Sequence, residues 1–130
     1  MVAGIVKSKP AGDWKGQERA IAAIRDGKRT RGSGCGADKG DVKSRFFREE
    51  CKSTEKVRIS LDKRWLEKIY REAGTRKVPA LTFGFSTMPD GVPHDWTAIP
   101  ARQLQVLCNV AAAVLDGNME DAEEWARQLE

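Results

Sequence analysis

The run GDVKSRFFREECKST, residues 40–54, brings Asp41, Glu50 and Lys52 into one short stretch of chain. In an extended strand, residues two apart face the same side, so Glu50 and Lys52 project together while Cys51 points away. If Asp41 opens the neighbouring strand, its carboxylate comes to the same edge as Glu50. Two converging carboxylates suit Mg²⁺, which prefers oxygen ligands and keeps several waters for a phosphate to displace. A lysine beside them can orient a water and offset charge on the transition state. Metal-assisted phosphodiester hydrolysis needs that set of groups. The bland alternative is an exposed ion pair on a hairpin, worth under about 1 kcal/mol.

The triplet acid-x-Lys is not specific by itself, since Asp13–Lys15, Asp26–Lys28 and Asp41–Lys43 share it with Glu50–Lys52. Only the last follows an apolar strand pattern, has a Gly-Asp upstream, and is succeeded by a helix and then a strand. The elements that must position it are legible in part. Residues 1–14 mix Lys, Pro and Gly and suggest a basic flexible arm, in which Trp14 is the tryptophan placed to touch nucleic acid. Residues 15–130 form one domain, with a core over 15–99 and C-terminal helices over 101–130.

Within that domain a first helix is expected over 15–25, burying Ile21 and Ile24 with Ala20, Ala22 and Ala23 and ending at Gly27. The glycine-rich run RTRGSGCGADKGD must be loop. Residues 41–47 and 48–53 suggest two tightly joined strands whose turn position is open, and Val57–Leu61 suggests a brief extended piece. Asp62 reads as the N-cap of a helix that continues to Ala73 and stops at Gly74. Trp65, Leu66, Ile69 and Ala73 make its apolar stripe, and Lys63, Arg64, Lys68 and Arg71 either its solvated side or a face toward DNA. PALTFGFS reads as a buried strand, residues 96–99 as a short partner. A helix over 101–116 would bury Leu104, Leu107, Cys108, Ala111 and Leu115. A last helix from Asn118 would turn Met119, Ala122, Trp125, Ala126 and Leu129 inward, and Trp65 and Trp96 are expected in the core as well. The order α-β-β-α-β-β-α-α predicts an α/β (α+β) domain with a small mixed central sheet flanked by helices.

Composition narrows the partners. Residues 1–79 hold 21 Lys/Arg against 11 Asp/Glu, whereas residues 80–130 hold 2 against 8, and the whole carries +4. Such a split suits a basic face that meets a polyanion, with nucleic acid the leading candidate and a plain solvated surface the alternative. Cys35, Cys51 and Cys108 are odd in number, form no CxxC pair, and have only His94 for company. A zinc site and a disulfide framework are therefore not expected; free thiols in a reducing compartment are. The apolar runs are too short for a membrane span, and the N-terminus is too short in apolar residues for a signal peptide. A cytoplasmic, intracellular location is the expectation.

The pattern resembles the PD-(D/E)xK nuclease superfamily and, within it, the archaeal- and phage-type Holliday-junction resolvases. Those proteins place a glutamate on the first helix, an Arg and Ser-Gly loop, an Asp beginning a strand, and a Glu-x-Lys on the next. Here KGQERAIAAI offers Glu18, RTRGSG offers Arg31 and Ser33, GDV offers Asp41, and ECKST offers Glu50 and Lys52. RISLDKRWLEKIYREAG and KVPALTFGF stand for the following helix and core strand, so the resemblance covers roughly residues 15–86. Gly40 stands where the proline of the motif name would be.

The resemblance implies a restriction-endonuclease-like core and Mg²⁺ as cofactor, with Mn²⁺ substituting. It makes Asp41, Glu50 and the Cys51 carbonyl metal ligands, with Lys52 activating water and Glu18 reaching the site directly or through water. Arg29, Arg31 and Ser33 would contact phosphate, helped by the amides of Gly32 and Gly34. The implied substrate is branched, four-way DNA, and symmetric cutting implies a homodimer. A phage origin would suit the compact size. Two other functions remain open: another nuclease of the superfamily, or a basic nucleic-acid-binding protein without catalysis.

Overall fold

The computed structural model describes residues 14–29 and 42–129, and the elements below belong to that part. Helix α1 (Trp14–Ile24) is followed by three strands, β1 (Lys28–Arg29), β2 (Val42–Lys43) and β3 (Phe47–Thr54). Helix α2 (Lys63–Ala73) leads into β4 (Val78–Phe85) and β5 (Asp95–Ala98), and α3 (Ala101–Leu115) and α4 (Met119–Arg127) complete the chain. The sheet has five strands in sequence order, antiparallel throughout except for β3 against β4. A parallel pair needs a crossover, and α2 supplies it.

The mixed α+β class is as expected, but the order is α-β-β-β-α-β-β-α-α, one strand more than the pattern showed. The extra strand is the two-residue β1, too short for any periodicity to register. The turn left open between β2 and β3 falls at residues 44–46. Ser44 Oγ accepts from the Phe47 amide there, and the Lys77 ammonium donates to the carbonyls of Ser44 and Arg45, the latter at 2.8 Å. Burial, reinforced by the charges of Arg48 and Lys43, lowers the Lys77 pKa. Residues 57–61 form no strand, and Val57 and Leu61 are exposed.

Strand alternation sorts the two faces of the sheet. Val42 and Cys51 cluster with Ile21 and Ala22, so α1 covers that face. Ile69 and Ala73 bury α2 against the other. Asp62 caps α2 by accepting from the Arg64 amide at 2.9 Å, and Gly74 ends it at φ 62°, a backbone angle that favours glycine. The C-terminal helices pack chiefly on each other and reach the sheet through a cluster of Val78, Val106 and Leu129, with Phe46, Phe47, Ile99 and Leu107 against it.

Several expected core positions are corrected. Ile24 and Ala23 are exposed, because α1 turns Gln17, Glu18, Ile21 and Ala22 to the sheet instead. On α3 the buried residues are Val106 and Ala113, whereas Leu104, Cys108, Ala111 and Leu115 are exposed. On α4, Ala122 and Leu129 are buried, Trp125 and Ala126 are half-buried, and Met119 is exposed. Trp96 is exposed too, on an edge strand whose indole N–H donates to the Pro93 carbonyl. No helix among the described residues is long and apolar enough to cross a membrane.

Candidate active site

Strand β3 carries Glu49 and Cys51 on the α1 face and Glu50 and Lys52 on the α2 face. The parity follows from Cys51 lying in the core with Ile21 and Ala22, while Glu50 and Lys52 meet residues of α2. The Lys52 ammonium lies 3.1 Å from Glu50 Oε1 and 4.8 Å from the centre of the Trp65 ring. Such a position combines an ion pair with a cation–π contact. Glu50 is buried, with a side chain only 7% exposed, and its Oε2 has Lys68 Nζ at 3.6 Å. That distance makes an ion pair but not a hydrogen bond, and Glu50 Oε2 has no hydrogen-bond partner. A buried carboxylate oxygen left in that state fits a hard divalent cation, which takes oxygen ligands.

The same strand segment is fixed from the opposite side. The Gln17 amide of α1 donates to the Lys52 carbonyl at 2.8 Å and to Asp95 Oδ1 of β5 at 3.1 Å. Gly84 makes room for this junction, since a Cβ there would collide with Asp95 Oδ1 and Gln17 Nε2. Lys52 is thus held at its backbone by α1 and at its ammonium by Glu50 and Trp65.

Glu18 is buried on α1, one residue from Gln17 and on the side that carries Ile21 and Ala22. The structure therefore sets Glu18 on the α1 side of the sheet and Glu50 and Lys52 on the α2 side. Cys51 sends its side chain into the α1 core, leaving its backbone between Glu50 and Lys52. Arg29 closes β1 opposite Val42. Asp41, Arg31, Gly32, Ser33 and Gly34 lie outside the described residues. Among the described residues, no three His, Cys, Asp or Glu side chains come together as a metal-binding group.

Four residues enter the picture that sequence patterns did not single out for it. Gln17 anchors Lys52, as above. Trp65, expected in the core, is half-buried beneath Lys52. Lys68, placed with the solvated or DNA-facing side of its helix, reaches Glu50. Glu72 lies 3.8 Å from Lys68 Nζ. The available signal was the spacing: 65, 68 and 72 fall three and four apart and so share one stripe of α2. That stripe adjoins the apolar one of Leu66, Ile69 and Ala73, and only the position of β3 selects between them.

No protein-family model, curated protein sequence or solved structure matches this chain, so its own residues carry the functional reading.

Proposed function

We propose that the chain is a metal-dependent endonuclease that hydrolyses phosphodiester bonds in branched DNA, with Glu50 and Lys52 at its catalytic centre. The observation that carries the proposal is the pairing of a buried, hydrogen-bond-deficient carboxylate oxygen at Glu50 with the anchored ammonium of Lys52 on one strand face. Glu50 would hold a Mg²⁺ or Mn²⁺ ion through Oε2, together with Asp41, which enters on sequence alone. The ion, when bound, polarises the scissile phosphate and lowers the pKa of a bound water. Lys52 orients the attacking water and offsets the charge that builds on phosphate oxygens. Its ammonium is suited to that task because Trp65, Glu50 and Gln17 together restrict its motion, so little reorganisation is needed when charge develops.

The element order supports the same proposal. A helix bearing Glu18, a strand that begins just after Asp41, a strand with Glu50-x-Lys52, a crossover helix and a parallel strand are the units of a restriction-endonuclease-like core. The basic balance of residues 1–79 suits a DNA backbone. Within this class the Holliday-junction resolvases are the reading we favour, acting as a homodimer because a four-way junction is cut on two strands. Arg29, Arg31 and Ser33, with the amides of Gly32 and Gly34, contact phosphate, whereas Glu18, on the α1 side of the sheet, has no assigned part in the catalytic centre.

The experiment is cleavage of a labelled four-way junction beside a matched linear duplex, in Mg²⁺ and then Mn²⁺, for wild type and Asp41→Asn. Paired nicks at the junction that disappear in the variant are expected. Equal cleavage of both substrates would keep the nuclease and remove the junction preference. A wild-type chain that binds the junction and never cuts it would be a nucleic-acid-binding protein instead.

A further inference from the structure

We propose that Lys68 is a built-in counter-ion for Glu50, and that Glu72 receives it when a divalent cation takes Glu50. The inference rests on the metal-binding role of Glu50 given above and concerns how that site is occupied.

Lys68 stands between two acids on two elements. Its Nζ is 3.6 Å from Glu50 Oε2 on β3 and 3.8 Å from Glu72 Oε1, four residues on along α2. Both carboxylates are largely buried, with side chains 7% and 11% exposed. Both also keep an Oε2 that is buried and accepts no hydrogen bond. Neither distance is short enough for a hydrogen bond, so the ammonium is shared and committed to neither acid.

Charge balance gives the arrangement its direction. Lys52, Glu50, Lys68 and Glu72 form an alternating row that sums to zero along the seam between β3 and α2. Buried charges are tolerated when compensated and costly when not. A divalent cation at Glu50 places two further positive charges beside both lysines, and the lysine that can leave must do so. Lys52 is held by the Trp65 face and, through its carbonyl, by Gln17. Lys68 is 42% exposed, sits on a flexible four-carbon stem, and has a second acid within reach. Moving toward Glu72 would complete a hydrogen bond that the Glu72 carboxylate now lacks. Lys68 is thus a positioning residue, and Glu72 sets how readily it yields.

This arrangement makes the two α2 variants act with opposite sign. Lys68→Met removes the competing cation and should tighten Mn²⁺ binding by about tenfold, because a neighbouring like charge is lost at a partly exposed position. Glu72→Gln removes the place to which Lys68 retreats and should weaken Mn²⁺ binding by roughly fivefold on the same grounds. Loss of one charge beside the ion gives those two signs by itself, so the transfer to Glu72 is read from non-additivity: Glu72→Gln should weaken binding by a smaller factor once Lys68 is gone than it does in wild type. Since Lys68→Met leaves Glu72 buried without its cation, the double variant Lys68→Met/Glu72→Gln is included, and it should bind more tightly than Glu72→Gln alone.

The test is isothermal titration of the DNA-free full chain with Mn²⁺, for wild type, Glu50→Gln, Lys68→Met, Glu72→Gln and the double variant. Tightening in Lys68→Met, weakening in Glu72→Gln and loss in Glu50→Gln are the expected results. If Glu50→Gln abolishes binding but Lys68→Met binds no more tightly than wild type, or Glu72→Gln weakens binding by the same factor with and without Lys68, the counter-ion transfer is overturned and the metal site stands. If Glu50→Gln binds as wild type does, or if neither wild type nor Lys68→Met binds Mn²⁺, the role of Glu50 falls and this inference with it.

Discussion

Glu49 and Glu50 are adjacent and chemically identical, yet β3 sends them to opposite sides of the sheet and to different work. Glu49 is fully buried and fully engaged. The Arg25 guanidinium donates to both its oxygens, at 3.1 and 3.3 Å, and the Thr82 hydroxyl donates to Oε1 at 2.8 Å. Arg25 also donates to the Thr97 hydroxyl, which ties α1 to β3, β4 and β5 through one polar network. With these needs met, Glu49 holds the fold, whereas Glu50 keeps an oxygen to offer. Arg25→Ala should strand the Glu49 charge and cost about 3 kcal/mol of stability, read from the urea midpoint at neutral pH. A loss of under half that size would show that the Arg25–Glu49 contact is not what holds the fold. Alternation told from sequence which glutamate keeps company with Lys52, since the two lie two residues apart. It could not tell that Arg25 finds Glu49 or that Lys68 finds Glu50, because those contacts depend on how α1 and α2 settle on the finished sheet.

At the scale of elements, α2 is the piece whose limits and role are best defined. Asp62 caps it, and the carboxyl pKa is lowered, first by the Arg64 side chain and then by the Arg64 backbone N–H. A carboxyl whose folded pKa lies below its unfolded value stabilises above the unfolded value and loses that contribution as pH falls through the folded one. Asp62→Ala should therefore lower the urea midpoint at pH 7, and the gap from wild type should close as pH drops below the ordinary aspartate range. A gap that stays constant down to acid pH would place the effect elsewhere than in the ionised cap.

The limits of α2 were legible because a capping Asp and a terminal Gly are local chemistry. The buried face of α3 was legible only in part: Leu107 packs against the cluster as its spacing implied, but Leu104 and Leu115 are exposed and the helix turns Val106 and Ala113 inward, Val106 meeting Val78 and Leu129. Periodicity identifies an amphipathic helix, and tertiary contacts decide which part of a broad apolar surface is covered.

For the whole molecule, the sheet is a wall with fold-holding polar contacts on the α1 side and the candidate chemistry on the α2 side. The parallel β3–β4 pair fixes this division, since α2 must cross back over one face and there meets Glu50 and Lys52. The charge division along the chain follows the same plan, with the basic residues 1–79 supplying β3 and α2 and the acidic remainder supplying α3 and α4. The joint action of Glu50 and Lys52 on a phosphodiester that we propose is read by single-turnover cleavage of a four-way junction across a Mg²⁺ titration. Wild type should cleave, while Glu50→Gln and Lys52→Met should each lose at least about a hundredfold in rate with junction binding retained, the scale expected for losing a general acid–base group or an electrostatic stabiliser. Cleavage at wild-type rate by either variant would remove that residue from the chemistry.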